Sequence, residues 1–400
     1  MIIGKITINT LDRLMALDTE TLEQLLSGVR RFVKERLIPL EQQVDETDKI
    51  PDEVIDEMKE LGLFGLSIPE EYGGLGLTMG EEALVAQELG YTSPAFRSAF
   101  GTNVGIGSQG ILIDGTDSQK RNYLPKLASG EMVGSFALTE PDVGSDAASV
   151  KMRADRNGDN YILNGTKRFI TNAPRAGVFT VMARTGTTEE RGRGVTAFLV
   201  EAGLPGLELG APEKKMGQKG AHCCDVIFNN VKVHKDQIIG GVEGLGFKTA
   251  MKVLDRGRLH MSSVSVGISK RLIDESVNYA IGRKQFGQKI ADFQLVQAMI
   301  ADSQTEYLAG KSMVEATAVR YDSGERVSTD ASCCKLFCTE AVGRIADRAV
   351  QIHGGSGYIA DYAVERFYRD VRLLRLYEGT SQIQQLVIAK SVIQDAEQAL

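Results

Sequence analysis

The fold is decided by the stretch Tyr161-Ile162-Leu163-Asn164-Gly165-Thr166-Lys167-Arg168-Phe169-Ile170-Thr171, which has the pattern of a strand, a turn and a second strand. Asn164-Gly165 is a pair that favours a two-residue hairpin turn, and β-forming residues stand on both sides of it. Further short strand-like runs follow at residues 178–183, 195–200 and 226–228. The sequence therefore predicts a central β-barrel or sandwich domain over residues 136–246.

The N-terminal part of the chain has helical periodicity. Apolar residues recur at helical spacing from Leu22 to Leu37, and we expect Pro39 to end this helix because proline breaks the hydrogen-bond ladder. A second helix is predicted from Pro51 to Gly62, and a third from Glu81 to Leu89. We therefore predict an N-terminal α-helical domain over residues 1–135.

Helical periodicity returns after the β-domain. Four segments are long enough to form a bundle, at residues 247–283, 294–320, 328–353 and 381–396. Helices, then strands, then helices form separate layers, so the predicted class is α+β with a C-terminal four-helix bundle over residues 247–400. This order is not βαβ alternation, and the glycine-rich run 241–246 does not fit a dinucleotide-binding turn, so a Rossmann fold is excluded.

Composition excludes several classes of function. The chain has 400 residues, of which 42% are hydrophobic and 25% charged, and its net charge of -7 argues against nucleic acid or an anionic membrane as partner. It contains no apolar run of 18 residues and begins without a secretory pattern, so we expect a soluble, cytoplasmic protein. The five cysteines and four scattered histidines lack zinc spacing, so we expect reduced packing cysteines and no metal site.

The run Leu376-Tyr377-Glu378-Gly379-Thr380-Ser381-Gln382-Ile383-Gln384 carries the candidate catalytic group. Glu378 stands between an aromatic residue and a glycine, just before an apolar helix that Thr380 or Ser381 can cap. In a low-dielectric pocket the pKa of this carboxyl group would rise, and it could act as a general base. Position alone leaves open a second role, in which Glu378 only stabilises the helix N-terminus through the helix dipole.

Five motifs stand in a fixed order along the chain. They are Tyr72-Gly73-Gly74-Leu75-Gly76, Leu138-Thr139-Glu140-Pro141-Asp142-Val143-Gly144-Ser145-Asp146, Lys167-Arg168-Phe169-Ile170-Thr171-Asn172, Arg283-Lys284-Gln285-Phe286-Gly287 and Tyr377-Glu378-Gly379-Thr380-Ser381. With these motifs the chain resembles an acyl-CoA dehydrogenase from about residue 20 to about residue 395. The resemblance implies a helical domain, a β-domain and a four-helix bundle, assembled as a homotetramer with FAD at subunit contacts.

The resemblance also implies the identity of the base. Glu378 would remove the α-proton of an acyl thioester while the β-hydride passes to the flavin, and the backbone N–H of Glu378 would help to polarise the thioester carbonyl. Some relatives carry the base on the helix after the β-domain, but Gly257 occupies that position here. A glycine cannot accept a proton, so the sequence offers one base.

The same resemblance implies which residues contact FAD. Those that would meet the ring are Phe136, Leu138, Thr139, Phe169 and Thr171. Those that would reach its other groups are Ser145, Arg283, Gln285, Phe286, Gln294, Thr380 and Gln382, with Gln351, Gly354 and Gly355 serving the FAD of a neighbouring subunit. Many relatives carry tryptophan in place of Phe169, so the stacking surface is smaller here. Without the family context these would be ordinary strand residues, an exposed arginine and a helix C-cap.

For the acyl-CoA substrate the resemblance implies contacts from Ser145, Asp255, Arg258 and Gly379. Arg97 falls where the helical domain lines the far end of the acyl channel. Glutaryl-CoA dehydrogenases resemble this segment, with an arginine that meets the distal carboxylate of the substrate. A buried arginine needs a carboxylate partner. Arg97 could bind an anionic substrate tail, pair with a protein acid such as Glu88, or point to solvent.

The function that the resemblance implies is an FAD-dependent acyl-CoA dehydrogenase of fatty acid metabolism, which passes electrons to an electron-transfer flavoprotein. Glu378 argues against monooxygenases of the same fold. An acyl-CoA oxidase or an enoyl-CoA reductase stays open, because residue types do not show oxygen access or redox poise. A non-catalytic helical scaffold is the alternative from another class. Acyl chain length, branching and the physiological acceptor are not specified by the sequence.

Overall fold

The structure, a computed structural model, describes residues 15–399. Its N-terminal part is helical. The helices span Thr19–Phe32 (α1), Glu41–Thr47 (α2), Asp52–Glu60 (α3), Met79–Gly90 (α4), Pro94–Val104 (α5), Gln109–Asp114 (α6) and Asp117–Ala128 (α7). The helix predicted from Pro51 to Gly62 corresponds to α3, and the helix predicted from Glu81 to Leu89 corresponds to α4. A capping box between Thr78 and Glu81 starts α4, because each side chain binds the backbone of the other residue.

The helical run that begins with α1 does not end at Pro39, and that expectation is wrong. After α1 the chain continues as a π-helical turn, Val33–Leu37, then a 3-10 turn, Ile38–Leu40, and then α2. These changes of turn width accommodate the missing proline N–H, so the helical run continues. It ends at Asp48, whose left-handed backbone (φ 53°) closes α2.

The central part is one seven-stranded sheet. Its strands span Gly134–Ala137 (β1), Arg153–Asn157 (β2), Asn160–Thr171 (β3), Val178–Arg184 (β4), Val195–Glu201 (β5), Leu207–Leu209 (β6) and Cys223–His234 (β7). The order across the sheet is β1-β4-β2-β3-β7-β6, and β5 pairs with β4. β1 runs parallel to β4, whereas β3 and β7 form a long antiparallel pair. The ends of β1 and β3 carry residues that the sequence assigns to the flavin.

The hairpin of β2 and β3 turns between Asn157 and Asn160, so the turn predicted at Asn164-Gly165 is wrong. Gly158 supplies a left-handed backbone (φ 60°) in the observed turn. β3 runs on through Gly165, where its register against β7 shifts and forms a bulge. A Cβ at Gly165 would come within 2.8 Å of the Met152 side chain. Glycine at this position therefore serves a bulge and close packing.

The C-terminal part is a bundle of four long helices with a short helix beside them. The long helices span Gly246–Gly282 (α8), Gln294–Asp322 (α9), Ser328–His353 (α10) and Ser381–Gln398 (α12), and the short helix Ala363–Val371 (α11) precedes α12. α10 packs against α8, α9 and α12, so it is central to the bundle. A small hairpin of Lys284–Gln285 (β8) and Gln288–Lys289 (β9) follows α8. The sequence analysis missed α11 and this hairpin.

The predicted class, α+β with helical, β and helical layers, is confirmed. The first strand begins at Gly134 and α8 begins at Gly246. The domain limits of 1–135, 136–246 and 247–400 stay a prediction. No helix between residues 15 and 399 is long and apolar enough to cross a membrane.

Buried polar contacts join the three parts of the chain. Asp370 of α11 accepts a hydrogen bond from the backbone N–H of Gln218, in the β-domain. Arg366 of α11 pairs with Glu41 of α2 at 2.6 Å, and both side chains are buried. These contacts fix α11 against the other two parts, and α11 leads into the loop that carries Glu378.

The cysteines are free thiols, as predicted, and three of the five are buried: Cys224, Cys334 and Cys338. Burial raises the pKa of the Cys334 thiol to about 11, so it stays protonated at neutral pH. Within residues 15–399 no three His, Cys, Asp or Glu side chains gather in a way that could hold a metal ion. These cysteines therefore contribute packing.

Candidate active site

Glu378 lies in the loop between α11 and α12. Thr380 caps α12 by accepting a hydrogen bond from the Ile383 N–H at 3.2 Å, as the sequence allowed. Glu378 and Gly379 both have left-handed backbones, with φ values of 54° and 92°. A left-handed backbone is uncommon for a glutamate, so the surrounding contacts must hold it.

Two completely buried side chains hold the backbone of this loop. Nε2 of Gln384 donates hydrogen bonds to the carbonyls of Glu378, at 3.2 Å, and Gly379, at 3.0 Å. Nζ of Lys335, on α10, donates to the Gly379 carbonyl at 2.7 Å. Both donors act in low-dielectric surroundings, where hydrogen bonds are strong. The loop is therefore fixed from two sides.

The Glu378 carboxylate faces α8 at Gly257. A Cβ built on Gly257 would overlap Oε2 of Glu378 and lie 3.1 Å from its Cδ. The carboxylate thus occupies the volume that a side chain at residue 257 would need. Glu378 therefore fits into the space that the glycine at residue 257 leaves open.

The surroundings of Glu378 raise the pKa of its carboxyl group. Burial is the largest cause, and the positive charges of Arg97, Lys335 and Arg258 oppose it. Oε2 of Glu378 is buried and receives no hydrogen bond from residues 15–399. A buried carboxylate oxygen without a donor is costly, and it is poorly stabilised as an anion. Such a group is suited to accept a proton from a weak acid.

Arg97 of α5 lies close enough to Glu378 for its charge to lower the pKa of the carboxyl group. Nε of Arg97 donates to Nε2 of His260 at 2.8 Å, and Nδ1 of His260 lies 2.5 Å from the Glu82 carboxylate. Burial lowers the pKa of His260 to about 4, so the ring is neutral at neutral pH. Its Nδ1–H therefore donates to Glu82 while Nε2 accepts from Arg97.

The pairing of Arg97 with Glu88, one of the alternatives raised by the sequence, is wrong. Glu88 pairs instead with Arg30 of α1 at 2.6 Å. The hydrogen-bond partner of Arg97 is a neutral imidazole, so its charge has no direct carboxylate partner within residues 15–399. Arg97 is half-buried.

Asp255 and Arg258, expected to contact CoA, pair with each other. Nη1 of Arg258 donates to Oδ1 of Asp255 at 2.7 Å. The Ser328 hydroxyl, at the start of α10, donates to Oδ2 of Asp255 at 2.5 Å. Arg258 is buried and Asp255 is 23% exposed. The structure brings this pair to the α8–α10 contact near Glu378, and the CoA contact stays a prediction.

The five residues expected around the flavin ring gather where β1 and β3 end. The backbone N–H of Arg168 donates to the Thr139 carbonyl at 2.8 Å. The Ser135 hydroxyl donates to the Thr171 carbonyl at 2.7 Å. Phe136 is buried, while Leu138, Thr139 and Thr171 are half-buried. These contacts hold the segment after β1 against β3.

Phe169 presents its ring at this strand end. A register shift between Lys167 and Ile170 forms a bulge in β3, and Phe169 within it has a left-handed backbone (φ 59°). Its ring is 54% exposed, with the Arg168 guanidinium 4.8 Å from the ring centre. The bulge therefore turns an aromatic side chain out of the sheet, which leaves a flat apolar surface open.

A buried ion pair, missed by the sequence analysis, supports the same strand end. Nζ of Lys167 donates to Oε1 of Glu140 at 2.8 Å and to the Leu138 carbonyl at 3.0 Å. Lys167 is 0% exposed and Glu140 is 6% exposed. The available signal was a lysine in phase, along the strand, with the apolar residues Tyr161 and Leu163. The pair ties the Leu138 backbone to β3.

Helix α5 contacts both groups of residues. Nδ2 of Asn172, directly after β3, donates to the Ser98 carbonyl at 2.8 Å. The residue before Ser98 is Arg97, whose charge acts on Glu378. One helix thus connects the strand end assigned to the flavin with the surroundings of the base.

Apart from Thr380, which is half-buried, the other residues assigned to FAD are exposed in the single chain. Phe286, in the β8–β9 hairpin, is 95% exposed. The exposed set is Ser145, Arg283, Gln285, Phe286, Gln294, Gln351, Gly354, Gly355 and Gln382. Because these residues are exposed in the single chain, their roles stay predictions.

Sequence reasoning also missed Lys335. It lies on the buried face of α10 with Ala331, Cys338 and Val342, at spacing that predicts apolar residues. A lysine in such a row is the signal that would have found it, because lysine is almost never fully buried without a partner. Its partner is the loop that carries Glu378.

Three models of the acyl-CoA dehydrogenase family match the chain. The N-terminal domain matches residues 19–131, the middle domain residues 135–231 and the C-terminal domain residues 244–393. The protein therefore belongs to the acyl-CoA dehydrogenase family. It is an oxidoreductase of a flavoprotein family whose members use FAD.

Relatives of known name are similar over nearly the whole chain. The 3-(aryl)acrylate reductase of Clostridium sporogenes (strain ATCC 15579) is 40% identical over 94% of this chain and 99% of the relative. The probable acyl-CoA dehydrogenase YngJ of Bacillus subtilis (strain 168) is 38% identical over 94% of this chain and 98% of the relative. The caffeyl-CoA reductase-Etf complex subunit CarC of Acetobacterium woodii is 39% identical over 89% of this chain and 93% of the relative.

Solved structures share the whole fold. Butyryl-CoA dehydrogenase from Megasphaera elsdenii has a TM-score of 0.90 and 32% identity, covering 94% of this chain and 99% of its own. A chain in the structure of the electron transferring flavoprotein of Acidaminococcus fermentans has a TM-score of 0.90, 35% identity and coverages of 94% and 98%. The glutaryl-coenzyme A dehydrogenase glutaryl-CoA complex gives a TM-score of 0.89, 34% identity and coverages of 94% and 96%.

Proposed function

We propose that this protein is an FAD-dependent acyl-CoA dehydrogenase that oxidises an acyl-CoA thioester to the trans-2-enoyl-CoA, with Glu378 as general base. The observation that carries this proposal is the buried Oε2 of Glu378, which faces Gly257 and receives no hydrogen bond from residues 15–399. Removing a proton from carbon needs a base that is poorly solvated, and burial supplies that condition.

Glu378 would remove the α-proton of the thioester, which is only weakly acidic. A thioester carbonyl that accepts a hydrogen bond from the backbone N–H of Glu378 becomes more polarised, and the pKa of the α-proton falls. Burial raises the pKa of the Glu378 carboxyl group, so the two pKa values approach each other. Bound FAD supplies the acceptor for the hydride that leaves the β-carbon.

The strand end of β1 and β3 supports FAD as the cofactor. The exposed ring of Phe169 offers a flat apolar surface, and the Leu138–Thr139 backbone is anchored beside it. These features fit a planar ring. Thr380, Gln382 and Ser145 would add polar contacts, and Gly379 would leave room for the substrate. Arg283, next to Gln285, Phe286 and Gln294, would pair with the pyrophosphate through charge-assisted hydrogen bonds.

A homotetramer with FAD at its subunit contacts is part of this proposal. Its support is the exposure of Gln351, Gly354 and Gly355, which match a loop that reaches a neighbouring subunit's FAD. Large apolar side chains are also exposed on three elements of the C-terminal part: Phe286 of the hairpin, Leu295 of α9 and Leu386 of α12. Exposed apolar groups of this size are typical of surfaces that another chain covers.

The electron acceptor that we propose is an electron-transfer flavoprotein. The support is the similarity to a subunit of a caffeyl-CoA reductase-Etf complex and to a chain in an electron transferring flavoprotein structure. Catalysis in the reverse direction, as an enoyl-CoA reductase, is the second candidate. It is favoured by relatives named reductases, among them acryloyl-CoA reductase (NADH) of Anaerotignum propionicum. An oxidase differs by reacting with oxygen.

The experiment that tests the function follows the flavin absorbance of the purified protein under anaerobic mixing. Butyryl-CoA, glutaryl-CoA and an aryl-substituted acyl-CoA are added separately, and bleaching of the yellow colour identifies a dehydrogenase. Reduced protein that regains its colour with crotonyl-CoA, but is not bleached by saturated substrates, identifies a reductase. Rapid recolouring by oxygen identifies an oxidase. A protein that stays colourless after FAD addition contradicts the proposal and favours a non-catalytic scaffold.

Arg97 is proposed to influence substrate choice. Its guanidinium lies near Glu378 and is hydrogen-bonded to neutral His260, which leaves the positive charge available to an anionic acyl tail. The similarity to the glutaryl-coenzyme A dehydrogenase glutaryl-CoA complex supports this possibility. A substrate with a distal carboxylate would give the half-buried charge of Arg97 its partner.

A further inference from the structure

Lys335 is a completely buried lysine whose ammonium group reaches the loop of the base. Its one hydrogen bond within residues 15–399 is the 2.7 Å contact with the Gly379 carbonyl. Moving an ammonium group out of water is costly, and one neutral carbonyl does not offset that cost. Glu378 directly precedes Gly379 in the chain. Its negative charge raises the pKa of Lys335, whereas burial lowers it.

Few charged groups surround this pair. Glu378 is influenced by Arg97 of α5, Arg258 of α8 and Lys335 of α10. Lys335 is influenced by Arg258, by Glu340 on its own helix and by Glu378. Two of these neighbours have partners of their own. Arg258 pairs with Asp255 at 2.7 Å. Glu340 accepts hydrogen bonds from Arg375 and Ser381.

Of the three cations near the carboxylate, Lys335 is the one bonded to the loop itself. Gln384 binds the same Gly379 carbonyl at 3.0 Å, so removal of Lys335 would leave this carbonyl with a neutral donor only. The left-handed backbone of Glu378 depends on these contacts. Lys335 therefore combines a backbone contact with a charge effect on one residue.

We propose that Lys335 is a positioning residue for the base: its ammonium group holds the Gly379 carbonyl in place, and its charge stabilises the ionised carboxylate of Glu378. This inference rests on the proposed role of Glu378. Burial lowers the pKa of Lys335 to about 8, so most of its charge is present at neutral pH. Loss of that charge disfavours the carboxylate anion, and the pKa of Glu378 must then rise.

The test titrates Glu378 directly by infrared difference spectroscopy of the FAD-loaded protein. The carboxyl C=O band of protonated Glu378 is identified by its loss in Glu378→Gln, and its intensity is measured against pH. Lys335→Met keeps the length of the side chain without its charge, and Lys335→Arg keeps the charge. Lys126→Met, at an exposed position of α7, is the control for loss of a lysine.

We expect Lys335→Met to move the titration midpoint of Glu378 upward by about one pH unit, the lower range for a nearby charge. Flavin reduction by butyryl-CoA, compared at a pH below both midpoints, should slow about tenfold, because there one pH unit changes the ionised fraction tenfold. Lys335→Arg and Lys126→Met should keep the wild-type midpoint. An unchanged midpoint in Lys335→Met, or an equal rise in Lys335→Arg, overturns the proposal.

If Lys335→Met gives no soluble yellow protein, Lys335→Gln answers the same question, because it is neutral but polar. The same upward movement is expected, and an unmoved midpoint overturns the proposal. Failure of the proposed function has a separate signature: Glu378→Gln would then reduce the flavin at the wild-type rate. The infrared titration does not depend on that outcome, because it needs no substrate.

Discussion

The carboxylate of Glu378 occupies the volume that a side chain at Gly257 would need, because a Cβ there would lie 3.1 Å from Cδ of Glu378 and overlap Oε2. A side chain at residue 257 therefore cannot coexist with the observed position of the carboxylate. The carboxylate proposed as the base and any side chain at residue 257 thus compete sterically. Glycine at residue 257 leaves the room that Glu378 occupies.

Gly257→Ala should displace Glu378 and lower the rate of flavin reduction about 10²-fold, the effect of misplacing a reacting group by about 1 Å. FAD absorbance should be retained, because the change lies on α8 and not at the β1–β3 strand end. The matched control is Gly28→Ala, since Gly28 is also helical and a Cβ there meets nothing within 4 Å. Stopped-flow absorbance measures the rate of flavin reduction in both variants. Equal rates would refute the proposal that a side chain at residue 257 displaces Glu378.

Glu378→Gln should retain FAD and bind acyl-CoA but lose at least ~10³ in turnover, since loss of a general base costs about 10²–10⁴. Its stability should not fall, because the substitution removes a buried charge that receives no hydrogen bond at Oε2 from residues 15–399. Thermal unfolding and flavin reduction are compared in the same preparation. Flavin reduction at the wild-type rate would remove Glu378 from the mechanism.

The pH dependence of flavin reduction should show the raised pKa of Glu378. The base must be ionised, so the rate should rise with pH and then level off. The midpoint of this rise should lie above the ordinary glutamate pKa of 4.5. A raised pKa in the folded state also means that the ionised form destabilises the fold. Wild type should therefore lose stability relative to Glu378→Gln as the pH rises through that midpoint. A midpoint at or below 4.5 would contradict the effect of burial.

Much of the fold could be predicted from periodicity, and the errors have local causes. The helix predicted over 328–353 matches α10 because residues that become buried recur at helical spacing along its whole length. The turn predicted at Asn164-Gly165 failed because this pair also suits a bulge, and only the pairing of β3 with β7 distinguishes the two. The prediction that Pro39 ends the first helix failed because a π-helical turn next to it removes the need for a proline N–H, so the helical run continues.

The site was predictable where a motif carries the chemistry and unpredictable where distant segments meet. Glu378 stands in such a motif, whereas the pairing of Arg97 with His260 joins residues of α5 and α8. Lys335 was missed because its partner is a backbone carbonyl, which no residue type reveals. Residues such as Arg283 could be assigned only through resemblance, because Arg283 is exposed in the single chain.

Lys167→Met should lower the free energy of unfolding by about 3–5 kcal/mol, because it leaves the buried carboxylate of Glu140 without its cation. The double variant with Glu140→Gln should recover part of this loss, since neither charge then remains. FAD should bind more weakly in the single variant, because Lys167 also binds the Leu138 carbonyl. Chemical denaturation of wild type, Lys167→Met, Glu140→Gln and the double variant measures the coupling, and additive losses would show that the pair does not act as a unit.

Arg283→Ala should lower FAD occupancy and weaken assembly together, because Arg283 is exposed in one chain and matches a residue that serves FAD at a subunit contact. Light scattering and flavin absorbance are measured on the same fractions at several protein concentrations. Arg326→Ala, another exposed arginine, should change neither quantity. A fully flavinated monomer in the wild-type protein would contradict the link between assembly and cofactor binding.

Arg97→Met should weaken binding of glutaryl-CoA selectively if the guanidinium meets an anionic tail. The loss should be about 1.5–3 kcal/mol, the value of a hydrogen bond to a charged group, and binding of butyryl-CoA should change little. Arg97→Lys keeps a positive charge and should lose less. Because Nε of Arg97 is held by His260, its remaining donors are directed and do not follow the ligand freely. If glutaryl-CoA neither reduces the flavin of wild type nor competes with butyryl-CoA, the hypothesis that Arg97 binds an anionic tail is wrong. Arg97 then acts only through its charge on Glu378.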